Sequence, residues 1–399
     1  MKIVHIEDYF HPEAGYQINI VPKYMAKMGF VVTVITTEMD KIPDTLNNFF
    51  GRDDIEEKDK SYTAKYGVKI IRLPLRAFIS GRAIFSYTSL FRTIKNENPD
   101  IVYVHGNDTF TGMKYLLKRK KLGYPLVMDS HMLEMASRNR LNKAFRWVYR
   151  HFFTPMIIKD NITVIRTQDD PYVEKCLGIP LSQAPWISYG SDTMLFHPDA
   201  EVKKSFRAEH GIFDDDFVVV YTGKMDEAKG GKLLAQAFKE KFQTKKNVVL
   251  VAVGNTSGEY GKEVEQIFAE SENRIIRFPT QKYSDLARFY QAADLSVFAR
   301  QCSLSFYDAQ ACGLPVLSED NNVNVDRCCH GNGWNFKAGD VQDFRAKIEA
   351  AVNMDKSEYQ KVADCAYKFI IDNYNYEDKA REYEAILMRE YLKYKDKGV

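Results

Sequence analysis

The sequence predicts an α/β fold in which two doubly wound Rossmann-like domains face each other across a cleft. Three observations carry this prediction. Short apolar runs alternate with amphipathic helical stretches, the alternation restarts beyond the middle of the chain, and 399 residues exceed the length of one ordinary domain. Runs that are apolar throughout are typical of parallel strands buried on both faces of a sheet.

Two series of strand-like runs divide the chain into an N-terminal domain, 1–195, and a C-terminal domain, 196–375. Residues 376–399 carry a long, charged helical pattern. The stretch 46–65 is polar and poorly periodic, so it is predicted to be a mobile loop. The predicted strands are 3–6, 31–35, 70–73, 101–104, 126–128 and 162–165 in the first series, and 217–221, 248–253, 275–278, 295–298 and 315–317 in the second.

Composition excludes several classes of protein. Lys and Arg number 56 and Asp and Glu number 54, so a net charge of +2 gives no whole-chain attraction to nucleic acid. No run approaches the roughly 20 apolar residues that a spanning helix needs. The N-terminus enters a strand-like run without the features of an export signal, and the six cysteines lack metal-ligand spacing. We therefore expect a cytoplasmic protein with reduced thiols and no metal.

Glycines and lysines directly after predicted strands are the first candidates for a ligand site, because ligands bind beyond the carboxyl ends of parallel strands. Gly15 follows the first strand and precedes a helix, an arrangement that suits an anion or an ordinary turn. Gly223, Lys224 and Lys229 follow the first strand of the second domain and suit a diphosphate or a solvated turn. The absence of a GxGxxG pattern argues against a nicotinamide dehydrogenase.

The segment 303–316 admits two interpretations. Ser305 and Asp308 have the spacing of a capping box, which would explain Asp308 as a helix cap. In the alternative, Asp308 accepts hydrogen bonds from ribose hydroxyls while backbone amides near 303–305 hold a phosphate. The spacing alone does not decide between the two.

Taken together, these motifs resemble glycosyltransferase family 4, which consists of retaining, nucleotide-sugar-dependent enzymes of the GT-B fold. The resemblance rests on the turn at Gly15, on Gly223-Lys224 with Lys229-Gly230, on YGSD at 189–192 and, most specifically, on DAQACGLP at 308–315. It covers almost the whole chain. It also implies that the terminal helix, 376–399, crosses back to the first domain.

The resemblance implies a role for each matching position in binding the donor. Gly15 would lie near the donor diphosphate and the acceptor, and Asp308 would bind ribose. Lys224 stands where the family usually has arginine, which keeps the charge but removes the bidentate fork. Gly223, Lys224 and Lys229 would hold the diphosphate, and the backbone of Ser303, Leu304 and Ser305 would contact phosphate.

Two further positions concern the transferred sugar. Arg300 occupies the place of the family's first glutamate, which touches the donor sugar, so Arg300 and the neighbouring Gln301 are expected to set donor-sugar specificity. His131 matches a histidine that many members place beside the transferred sugar. The resemblance thus implies a catalytic set of His131, Lys224 and Lys229.

The resemblance implies a retaining transfer of a sugar to a hydroxyl of a glycan or lipid-linked acceptor, in the biosynthesis of a surface polysaccharide. No cofactor or metal is expected, because lysines and helix N-termini can stabilise the departing diphosphate. Two alternatives remain open. One is a non-catalytic nucleotide-binding subunit, which Lys224 and Arg300 favour, and the other is a GT-B nucleotide-sugar epimerase.

The segment 138–153 combines an apolar stripe with basic residues. Leu141, Phe145, Val148 and Phe152 recur at helical spacing, while four basic residues cluster mainly on the other side: Arg140, Lys143, Arg146 and Arg150. An ordinary helix with its apolar stripe in the core explains this pattern. The alternative is weak peripheral contact with the inner face of an anionic membrane.

Overall fold

The computed structural model describes residues 1–42, 51–79, 82–132, 134, 141–300 and 304–396. The chain divides into two compact units. The first comprises Met1–Tyr189 together with Tyr376–Val399, and the second comprises Gly190–Asn375. Each unit is built on one six-stranded sheet in which every neighbouring pair of strands is parallel, which confirms the predicted α/β class.

The sheet of the first unit has the order β3-β2-β1-β6-β7-β8, with an antiparallel hairpin, β4 and β5, between the third and sixth strands. The order reverses between β1 and β6, so the carboxyl ends of these two strands flank a topological switch point. The strands are β1 (Lys2–Ile6), β2 (Val31–Thr37), β3 (Val68–Leu73), β4 (Leu75–Ile79), β5 (Arg82–Phe85), β6 (Ile101–Val104), β7 (Leu126–Ser130) and β8 (Thr163–Arg166).

Helices connect these strands, and one of them lies where a loop was predicted. The helices are α1 (Gln17–Lys27), α2 (Ile55–Tyr66), α3 (Tyr87–Glu97), α4 (Phe110–Lys118), α5 (Asn142–Val148) and α6 (Thr154–Asp160), with a π-helical turn at Tyr149–Phe153 between the last two. The predicted loop at 46–65 is wrong from residue 55 onward, and residues 46–50 lie outside the described residues. Only Tyr62 of α2 is buried, so this helix lacks the apolar periodicity that would have indicated it.

The second unit repeats the architecture with the strand order β11-β10-β9-β12-β13-β14. Its strands are β9 (Phe217–Thr222), β10 (Val248–Val253), β11 (Arg274–Phe278), β12 (Leu295–Phe298), β13 (Val316–Glu319) and β14 (Gly333–Phe336). Its helices are α7 (Ala200–Glu209), α8 (Gly231–Ala237), α9 (Gly258–Ala269), α10 (Ala287–Ala292), α11 (Ser305–Ala311), α12 (Asn322–Cys328), α13 (Val341–Val352) and α14 (Lys356–Asn373). The switch point lies between β9 and β12.

The terminal helix α15 (Tyr376–Asp396) belongs to the first unit. Tyr383 is fully buried and its hydroxyl accepts a hydrogen bond from the Gln17 amide of α1. Glu390 accepts from the hydroxyl of Thr163 at 3.1 Å. Across the described ranges, no helix combines the length and the apolar character that crossing a membrane requires.

Candidate active site

Three polar side chains meet at the carboxyl edge of the first sheet. His105 directly follows β6, Asp129 lies at the end of β7, and His131 comes just after it. Nδ1 of His105 lies 2.9 Å from Oδ2 of Asp129, and Nε2 of His131 lies 2.9 Å from Oδ1 of the same carboxylate. His105 and Asp129 are buried, whereas about a third of the His131 side chain is exposed. His131 is therefore the member of this trio that a ligand can reach.

Backbone and side-chain donors complete the shell around Asp129. The Gly106 amide donates to Oδ1 at 2.7 Å, and the Tyr103 hydroxyl donates to Oδ2 at 2.8 Å. Burial alone would raise the pKa of Asp129, but the charges of His131 and His105 hold the pKa of this carboxyl far below its usual range. Asp129 is consequently ionised in the folded protein.

A metal ion is one conceivable occupant of this edge, because His105, Asp129 and His131 each offer one ligating atom and these atoms lie within 4.8 Å of one another. The two oxygens of a carboxylate offer about four lone-pair sites. The Gly106 amide and the Tyr103 hydroxyl occupy two of these sites, and the two imidazole nitrogens approach the carboxylate at 2.9 Å. These atoms can share protons or ligate a metal ion, so the expected absence of a metal stays a prediction.

The second nitrogen of each imidazole is also engaged. Nε2 of His105 lies 3.0 Å from Nδ1 of His5, a fully buried residue of β1. Burial, and then the neighbouring His105, lower the pKa of His5 well below its ordinary value. On the exposed side, Nδ1 of His131 lies 2.8 Å from the hydroxyl of Tyr189. The imidazoles thus form a continuous polar chain across three strands.

The turn that carries Gly15 is fixed by the helix after it. The side-chain amide of Asn19 donates to the carbonyl of His11 at 2.9 Å, and Oδ1 of Asn19 accepts from the Tyr16 amide at 3.2 Å. Gly15 lies half-buried directly before Tyr16, the N-cap residue of α1. The structure thus places Gly15 at the carboxyl edge of β1, on the same sheet as His131.

In the second unit, Gly223, Lys224 and Lys229 lie in the loop that joins β9 to α8. The carbonyl of Lys224 accepts from the Tyr221 hydroxyl at 2.6 Å, and the amide of Lys229 donates to Asp226 at 2.9 Å. Lys224 is exposed and Lys229 is half-buried. These bonds fix the loop that carries both lysines at the carboxyl edge of the sheet.

Two loops at the carboxyl edge of the second sheet approach each other so closely that residue 254 must be a glycine. A Cβ atom at Gly254, which follows β10, would lie 1.9 Å from the carbonyl oxygen of Gly223. Gly254 also has φ +142°, which side chains disfavour. The loops after β9 and β10 therefore pack backbone against backbone.

Asp308 does not serve as part of a capping box. The N-cap of α11 is Leu304, no side chain caps this helix, and Ser305 is already its first residue. The buried Asp308 carboxylate instead accepts from the Ser191 hydroxyl at 2.7 Å and from the Tyr283 hydroxyl at 3.3 Å, both through Oδ1. The capping interpretation is therefore wrong. The interpretation that Asp308 binds the ribose hydroxyls stays a prediction.

Arg300 lies just beyond the end of β12 and contacts the lysine loop. Its Nη1 donates to the carbonyl of Glu227 at 2.8 Å. A Cβ atom at Gly230 would lie 3.0 Å from Cγ of Arg300, so the glycine makes room for this side chain. Arg300 thus contacts the loop that carries Lys224 and Lys229, whereas Gln301 and Ser303 lie outside the described residues.

Comparisons with known proteins agree with this architecture in both units. Residues 202–369 match the family model of glycosyl transferases group 1, and residues 22–157 match a glycosyl transferase 4-like domain. The chain belongs to glycosyltransferase family 4.

Some curated relatives align with a segment of this chain, and others align with most of it. A D-inositol 3-phosphate glycosyltransferase of Segniliparus rotundus is 34% identical over 54% of this chain and 50% of that protein. A probable sucrose-phosphate synthase of Thermosipho melanesiensis is 21% identical over 95% of this chain and 92% of that protein. The matched segment spans about half the length of several curated relatives.

Solved structures show the same fold. A glycosyltransferase from Rickettsia africae superposes with a TM-score of 0.75 at 16% identity, covering 98% of each chain. The Anabaena protein HepE, solved in complex with UDP and glucose, gives a TM-score of 0.72 at 16% identity over 98% of this chain and 100% of that one. These similarities establish the GT-B fold of the chain.

The residues that sequence reasoning missed are mainly the partners of His131 and Asp308. His5, Asp129, Tyr189 and Ser191 had no assigned role. A histidine within the apolar run of β1 was the available signal, because a polar residue that is buried in a strand needs a partner. Tyr189 and Ser191 lie in the YGSD motif, where the family resemblance pointed to the segment but not to these contacts.

Proposed function

We propose that this chain transfers a sugar from a nucleoside diphosphate sugar to a hydroxyl group of an acceptor, with retention of anomeric configuration. The observation that carries the proposal is the grouping of Lys224, Lys229 and Arg300 in and against one loop at the switch point of the second sheet. Three cationic side chains at this edge suit the diphosphate of a donor. The UDP and glucose of the HepE complex belong to a protein of the same fold.

The proposed chemistry depends on stabilising the departing diphosphate. As the bond to the sugar breaks, negative charge grows on the leaving oxygen, and lysine ammonium groups aimed at it lower the barrier without a metal or another cofactor. Asp308 would accept from the ribose hydroxyls, and the backbone at Leu304 and Ser305 would contact phosphate. The leaving phosphate would help to deprotonate the acceptor, so no protein carboxylate is assigned as a nucleophile.

We further propose that the acceptor is a glycan or a lipid-linked glycan of a surface polysaccharide, built on the cytoplasmic side of a membrane. A lipopolysaccharide 1,2-N-acetylglucosaminetransferase of Salmonella typhimurium is 26% identical over 45% of this chain and 50% of that protein. This relative supports a role in the assembly of surface glycans, while the donor sugar is left to experiment.

Weak membrane contact was predicted for 138–153, of which residues 138–140, with Arg140, lie outside the described residues. We propose this contact for the helical segment 141–160, because it carries two apolar faces. Tyr149 and Ile157 are buried, and Phe145, Phe153 and Met156 pack against the same core. The π-helical turn Tyr149–Phe153 adds one residue to the helical repeat between α5 and α6. The apolar side chains after this turn are therefore shifted around the helix axis relative to those before it. The outward apolar side chains are Leu141, Trp147, Val148, Phe152 and Ile158.

The test of the enzymatic proposal is a screen of UDP-, GDP- and ADP-sugars for release of nucleoside diphosphate by the purified chain, with an acceptor glycan present or absent. The expected result is turnover with one donor class, stimulated by acceptor, and an NMR spectrum of the product that shows retained anomeric configuration. Lys229→Ala should abolish most of the turnover, whereas Lys239→Ala should not, because exposed Lys239 pairs with Glu270.

The same screen separates the alternatives. A nucleotide-sugar epimerase would convert the donor alone and release no diphosphate. A non-catalytic subunit, the alternative favoured by Arg300 in place of glutamate, would bind a nucleoside diphosphate in calorimetry and turn over no donor. Either result would contradict the proposed transfer.

A further inference from the structure

Asn255 lies just after β10, at the carboxyl edge of the second sheet, and contacts the loops on both sides of it. Its carbonyl oxygen accepts from the Met225 amide at 3.3 Å, and Met225 belongs to the lysine loop, the connection from β9 to α8 that carries Lys224 and Lys229. Its side-chain Oδ1 accepts from the Thr280 amide at 3.0 Å, in the loop after β11. One residue thus joins the loops that follow three neighbouring strands.

The backbone that leads to Asn255 is held by its neighbours. The Gly223 amide donates to the carbonyl of Val253 at 2.9 Å, and the Gly254 amide donates to the carbonyl of Phe278 at 2.9 Å. A side chain of β11 adds another bond, because Nη2 of Arg277 donates to the carbonyl of Gly254 at 3.2 Å. The position of the loop after β10 is therefore fixed before any ligand binds, which suits a binding residue.

The orientation of the Asn255 amide follows from its partner. A backbone N–H only donates, so the atom that faces Thr280 is the amide oxygen and not the amide nitrogen. Nδ2 is consequently turned away from the loop after β11, and the strand on the other side of β10 is β9, which leads into the lysine loop. Asn255 is exposed, and across the described ranges no protein atom accepts from its Nδ2. A ligand at this edge can therefore accept from it.

We propose that Asn255 is a further donor-binding residue, which gives a hydrogen bond from Nδ2 to an oxygen atom of the nucleoside diphosphate. This role rests on the proposed function, because the lysine loop is where the diphosphate is proposed to bind. An amide nitrogen is a neutral donor, so it recognises an oxygen acceptor without adding charge. Oxygen atoms of the diphosphate, the ribose and the base share this chemistry.

A purely anchoring role for Asn255 is the alternative. In that case Oδ1 holds the loop after β11, and Nδ2 contacts only water. This loop also reaches the proposed ribose site, because the hydroxyl of Tyr283, three residues beyond Thr280, donates to Asp308 at 3.3 Å. The two roles use different atoms of one side chain, so substitutions that change one atom at a time separate them.

The experiment is calorimetry of the full chain at pH 7.5 with UDP, GDP, ADP and inorganic pyrophosphate. Asn255→Asp keeps an oxygen for Thr280 and replaces the donor nitrogen by an oxygen that only accepts. Ser257→Asp is the matched control, because it adds the same charge to the same loop at the exposed N-cap of α9. Asn255→Asp should bind the preferred nucleoside diphosphate at least about tenfold more weakly than Ser257→Asp does, and Asn255→Ala should bind it about three- to tenfold more weakly than wild type.

Pyrophosphate distinguishes the possible acceptors. An equal loss for pyrophosphate and for the nucleoside diphosphate places Nδ2 on the diphosphate, and a loss confined to the nucleoside diphosphate places it on the ribose or the base. Either result supports the role of Asn255 in binding.

Equal affinities of Asn255→Asp and Ser257→Asp would overturn this role and leave Asn255 as an anchor. Should Asn255→Asp fail to fold, Asn255→Ala serves in its place, and wild-type affinity in that variant would overturn the role as well. A wild-type chain that binds none of the four ligands would refute the proposed donor site itself, and the role of Asn255 with it.

Discussion

The Asp308 carboxylate is held by the hydroxyl of Ser191, whose oxygen lies 2.7 Å from its Oδ1. This bond joins α11 to the segment at the start of the second unit, and Tyr283 adds a second donor to the same oxygen at 3.3 Å. The carboxylate is thus oriented by side chains of its own unit before any ligand arrives. Such preorganisation suits a residue that binds hydroxyl groups.

Asp308→Asn should weaken the binding of a nucleoside diphosphate. The amide oxygen can still accept from Ser191, but the charge-assisted bonds to the ribose hydroxyls are lost, at a cost of about 1.5–3 kcal/mol. Calorimetry with UDP, GDP and ADP measures this loss. Ser191→Ala is the matched control, because it removes a protein contact and leaves the carboxylate, so its affinity should fall less. Unchanged affinity in Asp308→Asn would refute the ribose role.

The spacing of Ser305 and Asp308 predicted a capping box, but the Asp308 carboxylate contacts Ser191 and Tyr283 instead. Apolar runs marked most strands of both sheets, because parallel strands are buried on both faces. Which residue is the N-cap of a helix depends on backbone angles that residue spacing does not determine. The spacing therefore predicted Ser305 as the N-cap of α11, whereas the N-cap is Leu304. The hairpin β4–β5 and the short strand β14 also escaped detection, since neither is a continuous apolar run.

The candidate site was predictable to the extent that it lies in chain segments after strands. Lys224 and Lys229 were singled out because ligand sites occupy the carboxyl ends of parallel strands, and His131 because it matches a histidine of the family that the sequence resembles. Their roles stay predictions. The contacts of His131 with Tyr189 and Thr167 were not predicted, because these residues reach it only through the alignment of β7 with β8 and the return of the chain at 189. Pairings between distant segments leave no local pattern in a single sequence.

Lys229→Ala should reduce kcat/KM for the donor by roughly 10- to 100-fold, which corresponds to a charge-assisted bond of about 1.5–3 kcal/mol. Lys229 is half-buried and therefore less screened, so we expect a smaller effect from the exposed Lys224→Ala. Steady-state kinetics at fixed salt measures both. If the two variants keep wild-type kcat/KM, the lysines do not hold the diphosphate.

Asp8 should make the first unit less stable at alkaline pH. Burial, and then the neighbouring Glu7, raise the pKa of Asp8 to about 7, although the Ala83 amide donates to it. A carboxyl whose pKa is higher in the folded than in the unfolded state stabilises the fold at low pH, and this contribution is lost as the pH rises from about 4 to 7. Asp8→Asn should therefore be more stable than wild type at pH 8, by at most about 4 kcal/mol.

The measurement for Asp8 is urea unfolding at pH 5, 6.5 and 8. In a Trp334→Phe background the remaining tryptophans, Trp147 and Trp186, both lie in the first unit and report on it alone. The advantage of Asp8→Asn should shrink as the pH falls to 5. An advantage that is the same at all three pH values would contradict the raised pKa of Asp8.

Membrane attachment should depend on the outward apolar face of the segment 141–160. Trp147 and Phe152 are 58% and 57% exposed, and exposed Lys143 and Lys159 can contact anionic headgroups at about 1 kcal/mol per charge. Vesicles that contain phosphatidylglycerol should co-sediment the protein, and pure phosphatidylcholine vesicles should not. Trp147→Ser with Phe152→Ser should abolish the binding, and added salt should weaken it.

The choice of basic residues for this test follows from the structure. Arg146 lies over the ring of Tyr172 at 5.5 Å, and Arg150 donates to the carbonyl of Lys175 at 2.6 Å, so both already have partners within the unit. Lys143→Gln with Lys159→Gln is therefore the informative charge variant, and Phe213→Ser, at an exposed phenylalanine of the second unit, is the matched apolar control. Binding that persists in the Trp147 and Phe152 variant, or that is lost equally in Phe213→Ser, would show that this face does not contact the membrane.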